Sequence, residues 1–308
     1  MITCLGLSPA LDVTYGVGAL TVGGIHRPDW KLALPGGKFL NVARALHLLG
    51  EQVSAIAPLG GAIGEQIGAD LRAGGLDVVT VETEAPTRMC VSVTDAADGR
   101  ITEFYEHAAA LDDAVWTAVL SAIAAVDDGW LAVSGSVPDE RIDDLASALA
   151  AASERGIRLA LDQRGAALDA ALAAISPEIV KINRSEAEEA VGAGTAEELA
   201  VRLRERGART AIVTDGAAGA VAADPGGVRR VAALDAGPYT VGAGDCFLAG
   251  LLSGLQRDLT LDEALCRAAG VAAANTLRPG AALFDLAQAD LLSARASVRH
   301  VTEVENAS

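Results

Sequence analysis

Near its C-terminal end the chain reads Thr240-Val241-Gly242-Ala243-Gly244-Asp245 and continues as Cys246-Phe247-Leu248-Ala249-Gly250-Leu251-Leu252. Two glycines one residue apart allow a tight turn that brings successive backbone N–H groups close to a ligand. The apolar run that follows predicts a buried helix, so these N–H groups are expected at a helix N-terminus, where anions bind. Asp245 at this position is either a cap for the helix or a base beside a bound phosphate.

Apolar segments of strand length alternate with alanine-rich segments of helical length over most of the chain. This alternation predicts an α/β fold with a mainly parallel sheet and helices on both faces. Ligands of such folds lie at the carboxyl ends of the strands. The predicted strands are Met1–Leu7, Val53–Pro58, Trp130–Ser134, Arg158–Asp162, Ile179–Ile182 and Thr210–Thr214. The predicted helices are Phe39–Leu49, Gly64–Ala73, Ala114–Ala125, Glu140–Arg155, Arg184–Val191 and Ala196–Arg206.

Two segments depart from this alternation, and both contain extended stretches of alternating polarity. They are Thr14–Leu34 and Thr87–Tyr105, and a turn rich in Ala, Asp and Gly at Asp95–Gly99 divides the second. We interpret them as a small antiparallel sheet inserted in two pieces, at about residues 13–35 and 87–107, into one domain that spans residues 1–308. A sheet appended in this way is expected to be a lid or a dimer interface.

Composition and charge exclude several classes of protein. The chain has 308 residues, of which 51% are hydrophobic and 3% aromatic, enough for one large α/β core. Its formal net charge of −17 argues against nucleic acid or an acidic membrane surface as a partner. No uncharged apolar run reaches the roughly 18–20 residues of a spanning helix, and no signal-peptide pattern precedes Asp12. Because the four cysteines lack metal spacing and indicate a reducing compartment, we expect a cytoplasmic protein.

Lysine is rare in this chain, where only Lys31, Lys38 and Lys181 occur among 24 basic residues. Lys38 follows Gly36-Gly37 at the predicted start of a helix, and Asn41 lies three residues further on the same face. Such a face can present a cation and an amide to a polar ligand. Taken alone, the simpler interpretation is a Gly-Gly turn with a solvated lysine. The motif is not a Walker A loop, which requires G-x-x-x-x-G-K-[ST].

Two further strand ends carry polar residues. Asn183 and Glu186 follow the predicted strand Ile179–Ile182 and share one face of the next helix. They form either a capping box or a pair that organises Mg²⁺ and its waters beside nucleotide phosphates. The glycine-rich segment 214–219 ends another strand, and it either approaches a nucleotide or closes a tight turn.

Taken in chain order, these segments resemble the ribokinase-like sugar kinases of the PfkB carbohydrate kinase family. The chain is similar above all to the branch that contains 1-phosphofructokinase, tagatose-6-phosphate kinase and the minor 6-phosphofructokinase. The resemblance implies an αβα sandwich, a β-sheet lid that also forms a homodimer, and ATP with Mg²⁺ as phosphoryl donor to a sugar phosphate. The segments that carry it are Leu7-Ser8-Pro9-Ala10-Leu11-Asp12, Gly36-Gly37-Lys38, Arg88, Ser134-Gly135-Ser136-Val137-Pro138, Asn183–Glu186 and Thr240–Asp245.

The same resemblance implies a role for each matching residue. Asp245 would be the general base, and Gly242, Ala243 and Gly244 would form the anion hole for the transferred phosphoryl group. The residues of the ATP site would be Lys181, Asn183, Thr214, Gly216, Gly219 and Asn275, with Asn183 and Glu186 serving Mg²⁺ through water. The residues of the sugar-phosphate site would be Asp12, Gly37, Lys38, Asn41, Arg88 and Glu103, with Arg27 reaching in from the lid of a partner subunit.

Two aromatic residues depart from the pattern of that branch. Phe39 stands where a Gly is usual, and Tyr105 lies in the lid segment Thr102–Ala108, which usually reads Thr-Glu-Ile-Asn-Glu-Pro-Gly. Each ring would either reshape the sugar pocket or pack in the core, so the substrate stays open. The first hypothesis is a kinase for a ketohexose phosphate. The alternatives are a kinase for an unphosphorylated sugar or nucleoside, and a non-catalytic sensor of sugar phosphate or nucleotide; a Rossmann oxidoreductase is disfavoured because no G-x-G-x-x-G follows the first strand.

Overall fold

The computed structural model describes residues 1–235 and 237–301. The strands are β1 (Ile2–Leu5), β2 (Ala10–Val17), β3 (Trp30–Gly36), β4 (Val53–Leu59), β5 (Asp77–Glu82), β6 (Arg88–Asp95), β7 (Ile101–Tyr105), β8 (Trp130–Ser134), β9 (Arg158–Asp162), β10 (Ile179–Asn183), β11 (Thr210–Thr214), β12 (Ala220–Asp224), β13 (Gly227–Val231) and β14 (Val298–Val301). The α-helices are α1 (Lys38–Leu48), α2 (Gly61–Ala73), α3 (Asp113–Ala124), α4 (Ile142–Glu154), α5 (Gly165–Ala174), α6 (Arg184–Val191), α7 (Ala196–Glu205), α8 (Ala243–Gln256), α9 (Leu261–Asn275) and α10 (Leu286–Arg295).

The central sheet has the strand order β14-β13-β12-β11-β10-β9-β8-β1-β4-β5. Every neighbouring pair from β11 to β5 is parallel, and the pairs from β11 to β14 are antiparallel. The predicted mainly parallel sheet is therefore confirmed. Its inner strands are continuous apolar runs, as in β4, where all seven residues are buried, because helices cover both faces.

Two hydrophobic clusters lie on opposite faces of this sheet. Side chains alternate between them along a strand, so that Cys4 of β1 belongs to one cluster and Leu5 to the other. Helices α1, α2, α8, α9 and α10 cover the first face, and α3 to α7 cover the second. This arrangement is the predicted αβα sandwich.

A second sheet, which we term the lid, has the strand order β3-β2-β6-β7. The small separate sheet is confirmed, but the prediction that it is antiparallel is wrong for its central pair. β2 and β6 are parallel, with Ala10 opposite Arg88 and Val17 opposite Asp95, whereas the two outer pairs are antiparallel. The reason is topological: β2 follows β1, β6 follows β5, and parallel β1 and β5 leave the central sheet at the same edge.

The lid is connected to the body through a very short joint. β3 ends at Gly36 and α1 begins at Lys38, so that Gly37 alone separates the lid strand from the helix. Gly37 has a φ of 93°, a conformation that favours glycine, and a Cβ at this position would lie 2.9 Å from the carbonyl oxygen of Ser8. The sequence Gly-Gly-Lys is therefore a strand-to-helix joint as well as a source of a cation.

Within the described residues no helix is long and apolar enough to cross a membrane. Cys4, Cys90 and Cys246 are buried free thiols, as predicted, while Cys266 is half-buried. Seven elements were not predicted from the sequence: β5, β12, β13, β14, α5, α9 and α10. Most of these are edge strands or alanine-rich helices, whose mixed polarity gives a weak periodic signal.

Candidate active site

The candidate site lies where the carboxyl ends of β9 and β10 meet the N-termini of α1 and α8. Asp162 ends β9, Lys181 lies within β10, Lys38 begins α1, and Asp245 lies in the first turn of α8. The four side chains come from distant parts of the chain and share one site. Its position agrees with the location expected for ligands of parallel α/β sheets.

Asp245 is almost completely buried, with 7% of its surface exposed. Its Oδ2 accepts a hydrogen bond of 2.8 Å from Nδ2 of Asn41. Burial, assisted by the negative charge of Asp162, raises the pKa of Asp245 to about 6, although Lys181, Asn41 and Lys38 act in the opposite direction. A carboxylate with a pKa near the working pH and one free oxygen is suited to accept a proton.

Asp162 joins the two site lysines and was not identified from the sequence. It is fully buried, and its two oxygens lie 3.0 Å from Nζ of Lys38 and 2.8 Å from Nζ of Lys181. Burial raises the pKa of Asp162, but the charges of Lys181 and then Lys38 outweigh it and hold the pKa below its ordinary value. The one feature of the sequence that indicates Asp162 is the position of its carboxylate directly after the apolar residues 159–161 of β9.

Lys38 is bound by two carboxylates. Besides Asp162, it lies 3.5 Å from Oε1 of Glu186. Burial lowers the pKa of Lys38, yet the charges of Asp162 and Glu186 raise it more, so that the pKa lies above its ordinary value. Lys38 therefore remains a cation at any pH at which the protein is studied, and the interpretation as a freely solvated lysine is excluded.

The turn before α8 is the predicted anion hole. Gly242 adopts a left-handed conformation with φ 76°, α8 begins at Ala243, and no side chain caps its first N–H groups. A Cβ at Gly244 would lie 3.1 Å from Nζ of Lys181, so the lysine lies directly against the turn. The N–H of Ala243 donates to the carbonyl of Thr240 at 3.1 Å, so Ala243 does not supply the free donor that was predicted. The N–H groups of Gly242 and Gly244 beside the lysine fit the phosphates of a nucleotide.

Asn183 and Glu186 form the capping box that was one of the two interpretations of their spacing. Oδ1 of Asn183 accepts from the backbone N–H of Glu186 at 2.9 Å, and Oε2 of Glu186 accepts from the N–H of Asn183 at 3.1 Å. Because Oδ1 also accepts from Ser185, Asn183 keeps only its NH₂ group for a ligand, and an NH₂ group does not bind a cation. Asn183 is thus poorly suited to the predicted role at Mg²⁺.

Mg²⁺ fits the site only in its usual mode with nucleotides, through one or two carboxylates, water and phosphate oxygens. Asp162 and Glu186 line the same cavity, and both already accept from Lys38. In residues 1–235 and 237–301 no cluster of three His, Cys, Asp or Glu side chains could hold a metal by itself. Any bound ion would therefore depend on the phosphates of a nucleotide.

Asp12 lies on β2 of the lid. Burial raises the pKa of Asp12 to about 6, against the lowering effect of the Gly37 backbone N–H, Arg44 and Arg88. It lines a cavity of about 30 Å³ together with Arg44 and Tyr105. That volume holds little more than one water molecule.

A larger cavity of about 340 Å³, which we term the lid cavity, lies between the lid and the ends of β8 and β9. Its charged lining residues are Lys38, Arg88, Asp162, Arg164 and Glu186, and its polar lining residues are Ser8, Tyr105, Ser134, Ser136 and Gln163. The guanidinium of Arg88 donates to the carbonyl of Glu106 at 2.8 Å and to that of Ser8 at 3.4 Å. Arg88 thus fastens the lid to the body at the edge of this cavity.

Phe39 and Tyr105, the two aromatic residues that differ from the pattern of the phosphosugar branch, have different structural roles. Phe39 is 1% exposed and packs against the backbone of Gly6, so it is mainly a core residue. Tyr105 is 55% exposed, and its hydroxyl donates to Oε1 of Glu103 at 2.6 Å. Tyr105 also lines both cavities, so it belongs to the roof of the pocket together with Glu103.

The remaining predicted site residues lie further from this centre. Arg27 is exposed on the connection between β2 and β3. Thr214, Gly216 and Gly219 form the turn between β11 and β12. Asn275 is fully buried: its amide donates to the carbonyl of Val241 at 2.9 Å and accepts from the N–H of Ala282 at 2.8 Å. Both ends of its amide are therefore used to fasten two loops together, and its place in the ATP site stays a prediction.

The αβα sandwich and the cluster of Lys38, Asp162, Lys181 and Asp245 at its strand ends together indicate the class of this protein. Residues 29–288 match the model of the pfkB family of carbohydrate kinases. The chain belongs to this family, and it is accordingly a phosphotransferase.

Individual relatives cover almost the whole chain. The chain is 31% identical over 288 residues to the ATP-dependent 6-phosphofructokinase isozyme 2 of Escherichia coli, covering 91% of this chain and 93% of the relative. It is 32% identical over 273 residues to the 1-phosphofructokinase of Bacillus subtilis, covering 86% and 88%. The crystal structure of Escherichia coli phosphofructokinase-2 in complex with substrates and products aligns with a TM-score of 0.90 and 30% identity, over 96% of this chain and 98% of that one. These findings confirm the ribokinase-like fold and the predicted family.

Proposed function

We propose that this protein transfers the γ-phosphoryl group of ATP to a hydroxyl group of a phosphorylated ketohexose, with Asp245 as the general base. The observation that carries the proposal is the position of Asp245 between two sets of groups. On one side lie the free N–H groups of α8 and Lys181, which suit phosphates. On the other side Asn41 donates directly to its carboxylate and suits a sugar hydroxyl. Asp12 on β2 of the lid is the second residue proposed for hydroxyl binding.

The reaction follows from these positions. Asp245 accepts the proton of the acceptor hydroxyl while the hydroxyl oxygen forms a bond to the γ-phosphorus of ATP, and the bond to the ADP oxygen breaks. The N–H groups of Gly242 and Gly244 and the cation of Lys181 stabilise the charge that spreads over the phosphoryl oxygens. Mg²⁺, when bound with ATP, adds a further positive charge at the phosphates.

The charge around the lid cavity supports an acceptor that already carries a phosphate. Three cations, Lys38, Arg88 and Arg164, and two carboxylates line a cavity that is separate from the turn before α8. Because both carboxylates are paired with Lys38, the cations of Arg88 and Arg164 are left for a ligand. A phosphate monoester needs such cations, and a plain sugar does not. The phosphofructokinase names of the relatives agree with this interpretation.

ADP release with Mg-ATP over a panel of acceptors tests the proposal. The panel contains fructose 6-phosphate, fructose 1-phosphate, tagatose 6-phosphate, free fructose, ribose and adenosine. We expect one of the ketohexose phosphates to give the highest kcat/KM. Preference for an unphosphorylated compound would contradict the proposed acceptor, and ligand-induced thermal stabilisation without turnover would identify a sensor.

The pH profile is expected to show the ionisation of Asp245. Because the base must be deprotonated, kcat/KM for the acceptor should fall as the pH drops through about 6 and level off above it. Asp12 has a pKa in the same range, so the profile of Asp12→Asn serves as control. We expect that variant to be less active and to keep the acidic limb. A wild-type profile that stays flat down to pH 5 would contradict the assignment.

Loss of the Arg88 guanidinium is expected to weaken the binding of the acceptor more than that of ATP. We predict that Arg88→Ala raises KM for the ketohexose phosphate at least about tenfold, as expected for a lost charge-assisted hydrogen bond. KM for ATP should change less than about twofold, because Arg88 lies on the lid side of the site. Equal changes of the two KM values, measured by initial rates, would show that Arg88 only supports the structure.

We also propose that the lid forms a homodimer, in which Arg27 reaches the acceptor of the neighbouring subunit. Val22 is 100% and Ile25 89% exposed on the same β2–β3 connection as Arg27, which is unusual for apolar side chains. Light scattering after size exclusion should give twice the chain mass for the wild type. Ile25→Asp should shift the species to the monomer; a wild-type monomer at micromolar concentration would contradict the proposal.

A further inference from the structure

Arg44 is an arginine of α1 that has no task in the mechanism above. Its Nη1 donates to the carbonyls of Pro35 at 3.0 Å and Ala281 at 3.1 Å, and its Nη2 donates to the carbonyl of Ala282 at 3.3 Å. Pro35 belongs to β3 of the lid, whereas Ala281 and Ala282 lie between α9 and α10. One side chain therefore joins the lid to a segment that is distant in the chain.

The charge of Arg44 faces the acceptor side of the site. Arg44 and Asp12 line the same small cavity beneath the lid. Burial lowers the pKa of Arg44, while Cys246 and Asp12 act in the opposite direction. Among the described residues no carboxylate forms an ion pair with Arg44, so the buried cation is held by carbonyl groups. A buried charge without a paired partner is costly, and this cost indicates a role other than stability.

Ala282, one of the residues that Arg44 contacts, has a strained backbone. Its φ is 52°, in the left-handed region that favours glycine, and in the described part of the chain Asp258 alone shares this property among residues other than glycine. The N–H of Ala282 donates to Oδ1 of Asn275 at 2.8 Å, and its carbonyl accepts from Arg44. A strained residue keeps its conformation only where its surroundings hold it. Asn275 and Arg44 provide that support.

Residues 280–282, which we term the 280–282 segment, lie between the lid and the glycine turn before α8. A Cβ at Gly280 would lie 2.5 Å from Cδ2 of Leu32 on β3, so the segment packs tightly against the lid. A Cβ at Gly242 would collide with the methyl group of Ala281, so the segment also packs tightly against the turn. A displacement of this segment would therefore displace the turn.

We infer that Arg44 is a positioning residue for phosphoryl transfer, which holds the 280–282 segment so that the turn at Gly242 keeps its place relative to the acceptor. This inference rests on the proposed function, in which the turn stabilises the charge on the transferred phosphoryl group. In the described structure Arg44 donates no hydrogen bond to the turn or to Asp245, so it acts through the segment. Because Arg44 also holds the end of β3, the position of the turn depends on the lid.

The first test is Arg44→Lys, which keeps a positive charge near Asp12 but has a shorter reach and a single nitrogen. We expect kcat for the best acceptor of the panel to fall at least about tenfold, because a displacement of about 1 Å at a reacting group costs about a hundredfold. KM for ATP and for the acceptor should change less than about threefold, since the turn acts mainly in the transition state.

Arg155→Lys is the matched control for this substitution. Arg155 caps the C-terminus of α4 before β9, at the opposite ends of the strands from the site. It also donates to three backbone carbonyls, those of Ala151, Ile123 and Val126. We expect kcat of Arg155→Lys to stay within about twofold of the wild type.

Ala282→Gly tests the connection through the segment. Glycine adopts the left-handed conformation without strain, so the segment then needs less support from Arg44. The double variant with Arg44→Lys should therefore recover kcat at least about threefold relative to Arg44→Lys alone, because two residues that act through one segment are not additive. Additive effects would show that Arg44 does not act through Ala282.

Binding gives a readout that does not depend on turnover. The dissociation constant of a non-hydrolysable Mg-ATP analogue is measured by isothermal titration with and without saturating sugar phosphate, and we term the quotient the coupling ratio. We expect a ratio of at least about five in the wild type, the lower end of usual coupling between sites, and less than about two in Arg44→Lys. A merely structural role of Arg44 would lower the melting temperature and leave the ratio unchanged.

The outcomes separate this inference from the proposed function. If the wild type phosphorylates a ketohexose phosphate but shows no coupling, or if Arg44→Lys keeps its kcat or its coupling ratio, the inference is wrong and the proposed function stands. If the wild type prefers an unphosphorylated acceptor, the proposed acceptor is wrong, and the same comparison with that compound decides on Arg44. If no compound gives turnover, the coupling ratio decides alone.

A second variant keeps the inference testable if circular dichroism shows that Arg44→Lys does not fold. Ala281→Gly removes the methyl group that packs against Gly242 and keeps every hydrogen bond of Arg44. We expect kcat to fall at least about threefold with little change in KM. A kcat equal to that of the wild type would contradict the inference.

Discussion

Replacing Asp245 by Asn is expected to reduce kcat by a factor of about a hundred or more, the scale of a lost general base. An amide cannot accept the proton of the acceptor hydroxyl. Its oxygen can still accept the hydrogen bond that Nδ2 of Asn41 donates to Asp245, so the geometry around it is retained. Dissociation constants for the sugar phosphate and ATP, from calorimetric titration, should therefore change by less than about tenfold.

The same variant should be more stable than the wild type in neutral solution. Burial raises the pKa of Asp245 from an ordinary value near 4 to about 6. A raised carboxyl pKa means that the folded state binds more protons than the unfolded state between these values, so stability decreases as the pH rises through that window. An uncharged side chain removes this cost above pH 6. A loss of turnover together with a gain in melting temperature excludes misfolding as the cause.

Asp143→Asn is the matched control, because Asp143 also lies in the first turn of a helix, at an exposed position away from the site. Both substitutions remove a carboxylate from a helix N-terminus and weaken the same favourable interaction with the helix dipole. Only the substitution at 245 should affect turnover. Near-normal kcat in Asp245→Asn would refute the assigned role of the carboxylate.

Replacing Asp162 by Asn is expected to lower both stability and turnover. Lys181 is 5% exposed and would remain as a buried cation without a counter-ion, which costs about 3 kcal/mol in unfolding free energy. The lysines would also lose the group that positions them. We expect kcat to fall at least about tenfold, because Lys181 no longer lies against the turn at Gly244.

The pH dependence of this effect has a definite sign. Lys181 and Lys38 hold the pKa of Asp162 below its ordinary value. The ionised carboxylate therefore stabilises the folded state at any pH above that ordinary value, and this stabilisation is lost as the pH falls through the lowered pKa. Urea unfolding should therefore show a large difference between wild type and Asp162→Asn at pH 7.5 and a smaller one in acid. Asp169→Asn is the control, because Asp169 pairs with Arg206 at the surface and should contribute less than about 1 kcal/mol. Equal effects of the two substitutions would contradict the buried network.

The sequence predicted those parts of the molecule that depend on local pattern. Continuous apolar runs identified the inner strands, and the segment at 240–245 identified the glycine turn before the buried helix α8, because both signals are confined to a few neighbouring residues. The separate sheet was also visible from its alternating polarity. The parallel pairing of β2 with β6 was not, because it is set by the direction in which two distant strands leave the body.

The site was predictable only in part for a related reason. Lys38 and Lys181 were noticed as rare lysines in motifs, but Asp162, which joins them, lies 124 residues from Lys38. No local sequence pattern indicates the contact between Lys38 and Asp162. Arg44 carries even less signal, since a single arginine on a helix is common, and only the three carbonyl groups that accept from its guanidinium in the structure distinguish it.

The single residue between the lid and α1 has a consequence for protein engineering. Only Gly37 separates β3 from Lys38, the first residue of α1. If the lid were replaced by that of a relative with another substrate, the new lid would therefore change the orientation of the α1 N-terminus. Lys38 and Asn41 would shift with it, and they contact Asp162 and Asp245, the carboxylates of the proposed active site. A chimera made at the visible border of the lid would therefore change turnover together with specificity. Crossover points placed after the first turns of α1 would exchange the lid and Lys38 together.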